Sequence, residues 1–175
     1  MTKIYTEENG IYCIDCTRAV WSSDRMHEDY QKSGIHISDV DFLIEDDKYL
    51  YLVEYKNACV PGAANPEAFN PEGNRMIDKV SRKFYDSLHY LHLFDRSKPV
   101  DYIYVLEYPK GDYVTRKRLR NRLKKELPFE LQKQVGKGRR LIHKVDVVSI
   151  REWNENEFYG RYPICPVDRI PGLPA

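Results

Sequence analysis

Apolar and polar residues alternate through Ser38–Asn57, SDVDFLIEDDKYLYLVEYKN, in two runs dense in β-branched and aromatic residues around the polar turn Glu45-Asp46-Asp47-Lys48. That pattern predicts a β-hairpin. A four-residue turn there sets Ile44 against Tyr49, Leu43 against Leu50, Asp41 against Leu52 and Asp39 against Glu54. Side chains alternate along a strand, so Asp39, Asp41, Leu43, Leu50, Leu52, Glu54 and Lys56 share one face, apolar near the turn and charged at the open end. Val40, Phe42, Ile44, Tyr49, Tyr51, Val53 and Tyr55 form the other, a continuous packing surface.

The remaining periodicities place elements around that hairpin. Ile11–Thr17 reads as a first strand opened by Asn9-Gly10, and a short helix from Asp24 to about Lys32, capped by Ser22 or Ser23, ends at Gly34. Met76–Phe94 carries Ile77, Val80, Phe84, Leu88 and Leu91 on one helical stripe. Val100–Tyr108 is apolar enough for a buried strand, Thr115 caps a helix that turns Leu119, Leu123 and Leu127 inward, and Arg140–Ile150 supplies a further strand. Strand, helix, hairpin, helix, strand, helix, strand predicts an α/β fold, a three-layer α/β/α sandwich on a mixed central sheet. The Pro- and Asn-rich connection Ala58–Asn74 is expected to overhang the open end of the hairpin. The tail from Tyr162, with Pro163, Pro166, Pro171 and Pro174, reads as an extended arm wrapping this chain or a partner, which leaves residues 1–161 as one domain.

The charged end of the hairpin carries the candidate chemistry. Three carboxylates beside one lysine on a sheet face need water, a cation or a shared proton. Mg²⁺ takes carboxylate oxygens and waters in an octahedron, and Asp41, Glu54 and the Tyr55 carbonyl form such a corner. Lys56 then stands where an ammonium can orient an attacking water or stabilise charge developing on a phosphate. A solvated cross-strand ion-pair cluster would use the same residues.

Asp41, followed across the hairpin by Glu54-Tyr55-Lys56, resembles the PD-(D/E)xK signature of the restriction-endonuclease-like nucleases, with Val40 where that family carries Pro. The resemblance implies the family's sandwich core and a metal-dependent endonuclease that hydrolyses phosphodiester bonds of nucleic acid, DNA ahead of RNA. It implies Mg²⁺, or Mn²⁺, on Asp41 and Glu54, Lys56 assisting the water, and a homodimer for cuts through both strands. It also implies a further acid on a helix ahead of Asp41, for which Glu28 is the candidate and Glu8 the reserve. Two other classes stay open: a module of the same fold that binds nucleic acid without cutting it, and a structural protein that builds an oligomer.

Net charge is +1, but it is unevenly placed. Residues 1–60 hold 6 Lys/Arg against 12 Asp/Glu, and the remainder 22 against 15. An acidic site joined to a basic half suits a protein that acts on phosphate. Between Lys110 and Lys144 there are 13 Lys/Arg and 3 Asp/Glu, and Arg116, Lys117, Arg118, Arg120, Arg122, Lys124 and Lys125 crowd one helix. These, with Lys79, Arg82 and Lys83 on the preceding helix, are the candidate nucleic-acid contacts, with solvated helix faces as the alternative. Cys13, Cys16, Cys59 and Cys165 lack a second pair or partner histidines at zinc spacing and read as reduced thiols. No apolar run reaches a membrane-spanning length and no signal pattern opens the chain, so a cytoplasmic protein is expected.

Overall fold

The structure, a computed structural model, describes residues 3–63 and 65–170. Its elements are β1 (Ile4–Thr6), β2 (Tyr12–Asp15), β3 (Trp21–Ser23), α1 (Met26–Lys32), β4 (Phe42–Glu45), β5 (Leu50–Asn57), α2 (Asn74–Leu93), β6 (Val100–Glu107), α3 (Tyr113–Glu126), α4 (Phe129–Val135), β7 (Ile142–Val148), α5 (Ile150–Glu155) and β8 (Ile164–Pro166). A five-stranded mixed sheet runs β3-β4-β5-β6-β7. Its first three strands are antiparallel, and β5, β6 and β7 are parallel, joined by the crossovers through α2 and through α3 and α4.

The hairpin forms where alternation places it, but its register differs from the expected one. Asp46 Oδ1 accepts the Lys48 and Tyr49 N–H groups, both at 2.7 Å, and the Asp46 N–H donates to the Tyr49 carbonyl at 3.0 Å. That side-chain turn shifts the reversal one residue along, to Asp46–Tyr49. Glu45 therefore faces Leu50, Leu43 faces Leu52 and Phe42 faces Val53. Every partner moves by two, which leaves each side chain on its expected face. Glu54 now stands opposite Asp41 rather than Asp39, the Asp41 N–H donating to the Val53 carbonyl at 3.1 Å.

One sheet face, with Leu43, Leu50, Leu52, Tyr102, Tyr104 and Leu106, packs under α1, α2 and α3 through Met26, Tyr30, Val80, Phe84, Leu119 and Leu123. The opposite face, with Phe42, Ile44, Tyr51, Val53, Ile103 and Val105, is covered by Ile14, Trp153, Tyr159, Tyr162 and Ile164. The molecule is thus an α/β sandwich whose second outer layer is only partly helical: a three-stranded sheet, β1-β2-β8, with the six-residue α5. Three-residue strands such as β1 and β8 carry too little alternation to stand out in sequence. The described part of the tail is built into this layer, packed along its own chain. Asn154 brackets the Ile164 main chain with two 2.8 Å hydrogen bonds, and the Trp153 indole N–H donates to the Tyr162 carbonyl at 2.7 Å. Residues 171–175, the end of the expected arm, lie outside the described residues.

The connection after β5 is tethered rather than overhanging. Phe69 meets Tyr108 edge-on with ring centroids 6.0 Å apart, Glu72 pairs with Arg118 at 3.3 Å, and the Arg122 guanidinium donates to the Glu72 carbonyl. These contacts hold the segment against the end of β6 and the start of α3.

Candidate functional site

The parallel strands β5 and β6 end on the side of the sheet where β4 begins, so Asp41 and Glu54 meet at a strand terminus, where α/β sheets commonly form clefts. The Asp41 Oδ2 accepts the Tyr55 N–H at 2.6 Å. The segment leading into Asp41 is pinned to α2, with the Ser38 N–H donating to Asp86 Oδ2 at 2.9 Å and the Val40 N–H to Ser87 Oγ at 3.3 Å. Both carboxyl groups therefore sit on fixed backbone.

Glu54 is 7% exposed, and its Oε2 accepts from the Lys83 ammonium at 2.6 Å. Burial, followed by the charge of Asp41, pushes the Glu54 carboxyl up to about 8, while Lys83 pulls the other way. Asp41 is also raised, mainly by burial, against the pull of Lys83 and the Tyr55 N–H. The nearby charge of Asp41 thus adds to burial in favouring the protonated form of Glu54, a repulsion that a cation could also relieve. Burial pulls Lys83 down, but the Glu54 and Asp41 carboxylates outweigh it and raise the ammonium above its ordinary value.

Asp41 and Lys83 line a cleft of about 450 Å³ whose rim includes Glu8, Asp24, His27, Asp39 and Lys79. The His27 ring holds Asp39 through Nδ1 at 3.1 Å and meets Gln31 through Nε2 at 2.8 Å. Glu7, also on this wall, is engaged within its own turn: its carboxylate accepts the Asn9, Ile11 and Tyr12 N–H groups at 2.8, 2.8 and 3.2 Å.

Of the residues singled out from sequence, Asp41, Glu54 and Tyr55 come together. Lys56 occupies the next position after Glu54 on the same strand face but is exposed, and the lysine in contact with the acids is Lys83 of α2. Lys83 lies three residues after Val80 and four before the fully buried Ser87, which puts it on the sheet-facing side of the helix. That spacing was the available signal. Glu28 turns away, pairing with Lys32 at 3.4 Å on an exposed flank, and it is Glu8 that reaches the cleft. His27 was not anticipated; a lone histidine on a short helix carries no distinguishing pattern.

The basic helix is only partly available to a phosphate. Arg116 is buried and grips Glu152 through Nε at 2.7 Å and Nη2 at 2.9 Å. Arg118 pairs with Glu72, Arg120 with Asp146 at 3.8 Å, and Arg122 holds the Glu72 carbonyl and, at 2.8 Å, Asn74. Lys117, Lys124 and Lys125 stay exposed, as do Lys79 and Arg82 on α2. Arg116→Ala is accordingly expected to lower stability by about 1–3 kcal/mol in urea melts. The salt dependence of any DNA binding should be unchanged; a shallower salt slope in that variant would return Arg116 to the phosphate contacts.

Among the described residues no three His, Cys, Asp or Glu side chains are arranged to hold a metal ion together. Mg²⁺ is commonly bound by only one or two carboxylates plus waters and substrate oxygens, so the Asp41–Glu54 pair, with the adjoining Tyr55 backbone, fits that donor set. All four cysteines are free, with Cys13 and Cys16 buried, and no helix among the described residues is long and apolar enough to cross a membrane. Compared with protein-family models, with curated proteins and with solved structures, the chain matches none.

Proposed function

We propose that this protein is a metal-dependent nuclease of the restriction-endonuclease-like type, hydrolysing phosphodiester bonds of nucleic acid, DNA ahead of RNA. The observation that carries the reading is the meeting of Asp41 and Glu54 across adjacent strands, beside a cleft lined by Asp41 and by Lys83, which holds the buried Glu54 at 2.6 Å. The strand order supports it: an antiparallel hairpin bearing both acids, then a helical crossover to a parallel strand. Bound between the acids, Mg²⁺ or Mn²⁺ would acidify a water and offset phosphate charge. Asp41 and Glu54 would hold the ion, with the Tyr55 carbonyl beside them. Lys83 offsets their negative charge from above. Lys56, exposed at the next position on the strand face, would orient the water and meet the phosphate. Two copies of the chain would be needed to cut both strands together. A cytoplasmic location goes with this reading and suits the four free thiols.

The test is incubation with plasmid and with single-stranded DNA and RNA in Mg²⁺ or Mn²⁺, with Asp41→Ala as control. Cleavage that stops in the variant and on chelation supports the assignment. Cleavage that survives in Asp41→Ala, or none from the wild-type chain on any of the substrates with either metal, rules it out.

A further inference from the structure

We infer that the turn between α4 and β7 is a docking surface for a nucleic-acid phosphate backbone, separate from the acidic cleft. From Leu131 to Val145 the chain has no Asp or Glu but carries Lys133, Lys137, Arg139, Arg140, His143 and Lys144. Three of these have internal partners: Lys133 with Glu130 at 2.7 Å, His143 with Asp101 at 2.7 Å and Lys144 with Asp146 at 2.6 Å. Lys137, Arg139 and Arg140 are exposed, and among the described residues they form no ion pair. This contrasts with α3, whose arginines are largely engaged with the protein itself.

The turn is held in place rather than loose. Gln132 Oε1 accepts the Leu141 and Ile142 N–H groups at 2.9 and 3.0 Å, and its amide donates to the Ile142 carbonyl at 2.8 Å. Lys137 sits in the left-handed region at φ 46°, a conformation for which Gly or Asn is better suited, so a cation stands there against local backbone preference. Arg139 and Arg140 flank a cleft of about 450 Å³ beside Phe129, Gln132 and His143. Guanidinium groups on fixed backbone match phosphate oxygens by geometry as well as charge. The surface lies at the start of β7, where Tyr49 of the β4–β5 turn stacks on His143 with centroids 4.5 Å apart, at the opposite end of the sheet from Asp41 and Glu54.

The inference rests on the nuclease reading only in its choice of polyanion; binding here does not require hydrolysis. The experiment is fluorescence anisotropy of a labelled DNA duplex titrated with the full chain over a potassium chloride series, without divalent metal. Arg139→Gln/Arg140→Gln should weaken binding by roughly tenfold and lower the slope of log affinity against log salt by about 2. Lys137→Asn should weaken binding while leaving the melting temperature unchanged or higher, a combination that partial unfolding cannot produce. Unchanged affinity and slope in the double variant overturn the surface. Binding of phosphatidylserine vesicles but not duplex also overturns it, and would assign the basic turn with exposed Leu131, Val135 and Leu141 to a lipid surface. A chain that binds through these residues and cuts nothing refutes the nuclease reading alone; one that cuts but binds equally well without them refutes this surface alone.

Discussion

Glu54→Gln is expected to remove metal-dependent cleavage, by roughly 10³-fold or more, and at the same time to stabilise the metal-free protein above about pH 8. The first effect follows from replacing an anionic ligand by a neutral amide. The second follows from proton linkage. In the folded, metal-free chain Glu54 holds its proton up to about 8, against an ordinary value of 4.5. Below 4.5 both folded and unfolded chains are protonated at this group, and its full contribution to stability is present. Between 4.5 and about 8 the unfolded chain has released a proton that the folded chain keeps, so stability declines as pH rises through that window. Glutamine has no proton to lose, so its contribution does not change through that window. The raised Lys83 ammonium acts above 10.5, outside the window. Urea melts of both proteins in chelator, below pH 4.5 and above about pH 8, should converge at the acid end and diverge at the alkaline end. Parallel curves would mean that Glu54 is not a buried acid held by Asp41.

The two lysines around the acids should separate cleanly by substitution. Lys83→Met leaves the buried Glu54 beside Asp41 without its cation; the side chains of Lys83 and Glu54 are only 15% and 9% exposed. Removing one partner from such a pair costs about 3–5 kcal/mol. The deficit should grow with pH as Glu54 is forced to ionise, and Mg²⁺ should recover part of it by supplying the missing positive charge. Lys56→Ala, at an exposed strand position, should change stability by less than about 0.5 kcal/mol yet slow cleavage roughly 10²-fold. Thermal melts with and without Mg²⁺, run beside a plasmid nicking assay, read both effects. Full cleavage by Lys56→Ala would leave Lys83 as the lysine that serves the reaction.

Much of this arrangement is legible from local pattern. Alternation marked the hairpin and assigned Asp41, Glu54 and Lys56 to one face; the apolar stripe of Ile77, Val80 and Phe84 marked α2; continuous hydrophobicity marked β6. The clustering of basic residues between Lys110 and Lys144 was equally plain, but their use was not. An arginine's partner depends on what folds against it, and Glu152, which grips Arg116, lies 36 residues away in α5. The tail gave a misleading signal, because prolines forbid a helix yet permit a three-residue edge strand such as Ile164–Pro166 paired to β2.

What the sequence by itself determined, then, is the set of elements, the face each side chain occupies and the presence of an acidic cluster at one end of a hairpin. These follow from periods of two and 3.6 residues, which any local stretch of chain expresses. The tertiary structure decided which acids meet. The side chain of Asp46 set the turn one residue later, the partner of Glu54 became Asp41, and α2, laid across the sheet, brought Lys83 onto the pair. Register and helix placement depend on hydrogen bonds and packing between distant segments, and the repeating pattern of a single strand is the same at every even shift.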